Sequence, residues 1–159
     1  MAVNVKITIE GEERLADAFG LFARKVSDLR PLWPQVAGRF YEHVRQTFDS
    51  QGFGTWAPLS PRYRQWKMKH FPSTSTLEAT GNLRRSLTSR STSNSIYREA
   101  PLSLELGTTV KYARFHQDGT SRLPRRPPLI VTPELEQAIG TVVQLGLGKE
   151  AADLGFTVR

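Results

Sequence analysis

The side chains able to do acid-base, nucleophilic or metal chemistry are few in this chain and badly spaced for it. The three imidazoles are His43, His70 and His116, and no two have the i, i+4 spacing that puts paired ligands on one helix face. There is no cysteine, which excludes disulfides and thiolate zinc sites. His116 follows Tyr112 and Arg114, a mixture that metal-independent ribonucleases use to bind phosphate and shuttle protons. Tyr112 and Phe115 at i, i+3 read instead as the buried stripe of a short helix carrying a structural histidine. Ser60 lacks a Gly-x-Ser-x-Gly elbow and precedes Pro61, so it reads as a helix cap. Gly52-x-Gly54 is too short and wrongly flanked for a dinucleotide loop, and the Walker pattern is absent. The sequence thus assigns no catalytic, cofactor-binding or metal residue.

Charge is the more useful signal. The net charge of +7 is concentrated in residues 61–132, with 13 Lys/Arg against 4 Asp/Glu, while residues 1–60 balance at 7 each. Such a surplus favours an anionic partner, either nucleic acid or the acidic face of a protein. Arg62, Arg64, Lys67 and Lys69 on one short helix, Arg84 and Arg85, and Arg125 and Arg126 beside Pro127 are therefore candidate contact residues. Trp56, Pro58 and Leu59 join them, because Trp supplies a large anchor and Pro a backbone with little entropy to lose. The competing reading of Trp56 is that it tucks into its own core. Nothing resembles a helix-turn-helix or zinc finger, so any DNA contact would be with the backbone and not with sequence.

The elements that must position these groups follow from periodicity. Alternation of Val3, Val5, Ile7 and Ile9 predicts a strand. Leu15, Phe19, Phe22, Val26 and Leu29 predict an amphipathic helix over 13–29. After Pro31 and Pro34, a second helix should bury Trp33, Val36, Ala37, Phe40, Val44, Thr47 and Phe48 and pack antiparallel to the first. A loop over 49–57 leads to a helix from Pro61 to about His70, and a surface loop over 71–76 to a turn of helix at 82–86 capped by Thr80. Ile96 and Tyr97, then Leu102, Leu104 and Leu106, predict two or three antiparallel strands. Val110–Gln117 reads as helix stopped by Gly119, and Arg122–Pro128 as an exposed arm or clamp. Leu129–Val131 should be a strand. A last helix, with Leu135, Ile139, Val142, Val143 and Leu145 on its apolar face, should end at Gly146 and Gly148.

The class is therefore α+β: a small, mostly antiparallel sheet flanked by a long helix pair and a C-terminal helix. One domain over 1–150 with a loose tail at 151–159 is expected for 159 residues. No apolar run is long enough for a membrane span, and Met1-Ala2-Val3-Asn4 lacks signal-peptide character, so synthesis in a cytoplasm is expected.

Four phrases in fixed order carry a resemblance: Trp56-Ala57-Pro58-Leu59-Ser60, Thr80-Gly81-Asn82-Leu83-Arg84-Arg85-Ser86, Tyr112-Ala113-Arg114-Phe115-His116-Gln117-Asp118-Gly119 and Pro124-Arg125-Arg126-Pro127. Together they resemble the phage virion morphogenesis family, the Mu-like tail-completion proteins of the neck. The resemblance implies a non-enzymatic virion part, without cofactor, made in the host cytoplasm. It implies self-association into a ring, expected as a hexamer, that meets the head connector or adaptor and the tail tube or terminator proteins, with non-specific contact to packaged DNA and none to membrane. A basic ribonuclease-like toxin and a sequence-neutral nucleic-acid-binding protein are the rival readings. Two expectations follow. Deleting Arg122–Pro128 should leave a folded subunit that fails in assembly, and if Arg62, Arg64, Lys67, Lys69, Arg84 and Arg85 share one side, a ring of subunits carries one continuous basic belt.

Overall fold

A computed structural model describes residues 12–71 and 75–156, so the strand expected over 3–9 lies outside the described residues. Helix α1 (Glu12–Val26) is followed by a 3₁₀ turn (Arg30–Leu32) and by α2 (Trp33–Asp49), with proline early in each of the latter two, where a missing amide hydrogen costs nothing. Helices α3 (Pro61–His70) and α4 (Asn82–Thr88) precede an antiparallel hairpin of β1 (Ser95–Ala100) and β2 (Ser103–Thr108). Helices α5 (Ala113–Asp118) and α6 (Pro133–Asp153) complete an α+β chain.

Helix α2 is the central element, and its buried face is the one its spacing predicts. Trp33, Val36, Ala37, Val44, Thr47 and Phe48 are buried, and His43 joins them, its Nε2 2.7 Å from the Ile130 carbonyl. The face splits into two clusters. Near the N-terminus Trp33 and Val36 pack with Val142, Ile139 and Val143 of α6. Near the C-terminus Val44 and Phe48 pack with Trp56, Val110 and, from α4, Leu83 and Leu87. Replacing Trp33 by alanine is expected to cost about 3–5 kcal/mol, since the ring is 6% exposed and its Nε1 donates to the Ala100 carbonyl at 2.8 Å. Phe40 is only partly buried, so Phe40→Ala should shift the urea midpoint less.

Helix α1 does not pair with α2 as expected. It leans on α6 instead, through Lys25–Glu150 at 3.0 Å and through Phe19 and Phe22, whose rings lie 4.9 and 5.9 Å from that of Phe156. The faces α2 could offer it are already taken by α4 and α6, and Leu15 and Phe19 are more than half exposed.

Helix α6 is longer than its glycines suggest. Thr132 caps it, its Oγ1 accepting from Leu135 N, and the helix then runs through Gly146 and Gly148. Gly146 serves close packing rather than termination, because a Cβ there would sit 2.5 Å from Leu32 Cδ2. The stop comes at Gly155, in the left-handed conformation at φ +84°, where Phe156 N bonds back to the Ala151 carbonyl at 2.9 Å. The boundary expected at residue 150 thus falls inside the helix, and Leu145, expected on the apolar face, is 68% exposed.

Among the described residues the sheet has two strands, with Pro101 and Leu102 forming the turn between the Ala100 and Ser103 partners. Leu129–Val131 forms no strand. Side chains satisfy its backbone: Gln117 bonds Leu129 N and O at 3.2 and 2.9 Å, and His43 bonds the Ile130 carbonyl. At the start of α4, Gly81 rather than Thr80 occupies the cap position, while Thr80 Oγ1 accepts from Asn82 N at 3.4 Å. Among the described residues no helix is long and apolar enough to cross a membrane.

Candidate functional site

The four phrases meet. Leaving α2, the chain passes through four consecutive left-handed residues, Gln51, Gly52, Phe53 and Gly54, at φ between +54° and +79°. This turn folds the chain back so that Trp56 packs edge-on against Phe48, ring centres 5.5 Å apart. Trp56 is 7% exposed, and its Nε1 donates to the Pro127 carbonyl at 3.0 Å. In return Arg126 donates from Nε to the Ala57 carbonyl at 2.7 Å and from Nη2 to the Pro58 carbonyl at 2.9 Å. The first and fourth phrases therefore hold each other across the fold.

The third phrase fixes the other side. Helix α5 stops at Gly119, and a reversal at Thr120–Leu123 brings Arg126 N to the His116 carbonyl at 2.8 Å, while Arg125 Nε bonds the Gln117 carbonyl. Ser60 caps α3, its Oγ accepting from Tyr63 N, and α3 forms a wall held by Lys67, the one buried residue of that helix, which donates to the Ser75 carbonyl. Between these walls lies a cavity of about 680 Å³. Pro58, Leu59, Tyr63, Leu77, Ala79, Tyr112, Leu123 and Pro124 give it a mostly apolar lining, and Lys67, Thr80, His116, Arg122 and Arg126 give it its charge and polarity. Among the described residues no Asp or Glu lines it.

Several expected contact residues have other tasks. Trp56, Lys67 and Arg126 are buried at 7%, 2% and 5% exposure, so Trp56 belongs to the core and the two cations line the cavity, and none projects from the surface. Their short-range demands explain this: the indole N–H, the ammonium and the guanidinium each need an acceptor, and turn carbonyls supply them. The segment Arg122–Pro128 is accordingly not a free arm, since Arg126 and Pro128 are buried although Arg122 and Arg125 are exposed. Nor do the six basic residues form one exposed belt. Lys67 is internal, and Arg84 is engaged by Glu78 at 2.8 Å and Asp49 at 2.6 Å while lying over the Phe48 ring. Arg62, Arg64, Lys69 and Arg85 are exposed, as is Pro58, and Leu59 and Pro127 are half-buried.

Sequence reasoning missed two features. Tyr112 and Phe115, expected to be buried, are each 42% exposed, and Tyr112 lines the cavity with its ring edge-on to His116. Along α3, from Tyr63 at the cavity wall to the exposed Trp66 and His70, three rings stack at 5.5 and 4.7 Å between ring centres. The i, i+3, i+7 spacing of these rings was the available signal. Among the described residues no group of three His, Asp or Glu side chains is placed to hold a metal ion.

Residues 11–147, which contain all four phrases, match the model of the phage virion morphogenesis family. The chain belongs to that family. No curated protein and no solved structure matches it. Membership in this structural family indicates a role in virion assembly and a virion-associated protein, and points away from an enzyme.

In this family member, His116 has a measurable signature. Burial, and after it the Arg126 guanidinium, holds its pKa below the ordinary 6.5, and its Nδ1 is buried without a partner. The unfolded chain regains the ordinary value and so binds more protons below it. Stability is therefore fully present above about pH 6.5 and is lost as pH falls from there toward the folded pKa. The urea midpoint should hold above about pH 6.5 and drop below it, and His116→Gln should flatten that drop.

Proposed function

We propose that the chain is a neck or tail-completion subunit that assembles into a ring and joins the tail to the head connector. The observation that supports this most is the convergence of four family phrases on one cavity, where they arrange backbone carbonyls, prolines and fixed cations but no nucleophile paired with a base. Such an arrangement suits binding. The protein is then not an enzyme, and it acts by geometry: each copy offers one surface to the next, and the repeat closes when the rotation allows. It is made in the host cytoplasm and ends in the neck of the virion.

The exposed face of α3 is the proposed axial contact. Arg62, Arg64 and Lys69 flank the Tyr63, Trp66 and His70 stack, giving a positive, aromatic surface suited to an acidic connector. Its chemistry also fits the backbone of packaged DNA, but tight phosphate binding would oppose DNA exit, so the connector is preferred.

The test is a phage lacking this protein. Electron micrographs should show full heads and free tails, and the wild-type chain should restore joined particles with ring density at the junction. Arg62→Glu with Lys69→Glu should reduce joining more than DNA retention. Joined particles without the protein would overturn the reading, as would nuclease activity abolished by His116→Ala.

A further inference from the structure

The cavity contains an imbalance that the subunit does not correct. Lys67 and Arg126 are buried cations, and among the described residues neither has a carboxylate within 4 Å. Arg122 adds a third positive charge at the lining. Burial pulls both Lys67 and Arg126 below their usual pKa ranges, and Glu78, which is ion-paired to Arg84 and does not line the cavity, offsets this only in part at Lys67. An apolar cleft with unanswered positive charge fits a ligand that brings a carboxylate and a leucine-sized group together. Its volume of about 680 Å³ lies within the range that takes several side chains.

The chain itself displays such a ligand. At the β1–β2 turn, Glu99, Ala100, Pro101 and Leu102 are consecutive exposed residues, with Leu102 64% exposed. Glu99 has no ion-pair partner within 4 Å among the described residues. The turn is also held in place, since Ala100 and Pro101 carbonyls accept from Trp33 Nε1 and Leu29 N at 2.8 and 2.7 Å. Little ordering entropy would be lost on docking.

The turn and the cavity sit at opposite ends of α2. The turn is tied to Trp33, the first residue of α2, while the cavity wall begins at Pro58, two residues beyond the Trp56 that packs on Phe48 at the other end of α2. A helix of 17 residues spans roughly 25 Å. A chain with donor and receptor so separated satisfies them with its neighbours, head to tail, which is the contact that closes rings. We propose that the Glu99–Leu102 turn of one subunit seats in the cavity of the next, with Leu102 against Leu77, Leu123 and Tyr112 and Glu99 facing Lys67, Arg122 and Arg126. This deepens the ring reading and rests on it for the closed form, though not for the contact itself.

The absence of native cysteine makes the contact easy to trap. Leu102→Cys chains mixed with Leu123→Cys chains under mild oxidation should give a disulfide heterodimer, and a chain carrying both should give a ladder of oligomers. Tyr112→Cys replaces Leu123→Cys if circular dichroism shows the latter unfolded. Leu145→Cys, on another exposed surface, serves as the collision control. Glu99→Lys in the Leu102→Cys chain should lower the yield about tenfold, and Arg122→Glu in the receptor chain should restore part of it. Yields no higher than the control, or indifferent to Glu99→Lys, would overturn the proposal. Rings seen in micrographs without this cross-link would refute the contact and leave the ring reading standing. A ladder with heads and tails still unjoined would uphold the contact and refute the neck role.

Discussion

Deleting Arg122–Pro128 is expected to unfold the subunit, contrary to the sequence-based expectation of a folded but assembly-dead protein. The deletion removes both Arg126 bonds to the Ala57 and Pro58 carbonyls, the carbonyl that accepts from Trp56 Nε1, and the fully buried Pro128. Hydrogen bonds to a charged group contribute about 1.5–3 kcal/mol each, and a stranded indole N–H costs about 1–3 kcal/mol more. The total approaches the roughly 5–15 kcal/mol that holds a domain together. Far-UV circular dichroism should lose its cooperative urea transition. By contrast Arg122→Ala, at an exposed position, should leave the midpoint where it was. A deletion variant that still unfolds cooperatively would show that the clamp is not structural.

Gly52→Ala is expected to cost about 3–5 kcal/mol, although it adds only a methyl group. A Cβ at Gly52 would lie 2.8 Å from Trp56 Cγ and closer still to Cδ1 and Nε1, so the indole must leave its place on Phe48. The left-handed backbone adds about 1–2 kcal/mol for a residue with a side chain. Gly54→Ala isolates that second effect, because Gly54 shares the left-handed conformation at φ +79° but has open space around it. Its urea midpoint should fall by clearly less. Equal losses at the two positions would mean that the Trp56 clash does not decide the outcome.

The parts of the fold legible in the sequence were those set by local rules. The buried face of α2, the Ser60 and Thr132 caps and the β1–β2 hairpin each follow from spacing or from one residue next to another. What escaped depends on partners that no local pattern announces. Arg126 and Lys67 look like surface charge because their acceptors are turn carbonyls, which any residue type can supply. Gly146 looks like a stop because nothing local announces the approach of Leu32. Helix α1 has a clear apolar stripe, and the sequence could not say that other helices would occupy the places it was expected to cover. The four phrases were recognisable as a set, but not as four walls of one cavity.

The clamp between Trp56 and Arg126 also has a consequence in time. Its bonds join residues 68 to 71 positions apart in sequence. Contacts of such range form late, after the loop between them has been closed. On a ribosome adding about 5–20 residues per second, the Pro127 carbonyl follows Trp56 by roughly 4–14 s. Through that interval the nascent chain has no receptor cavity, and neither has any fragment that ends before residue 126. A subunit thus becomes able to accept a neighbour only when its two halves have met. Fragments and half-made chains are thereby kept out of assembly, because the binding surface exists only after these two distant segments have closed on each other.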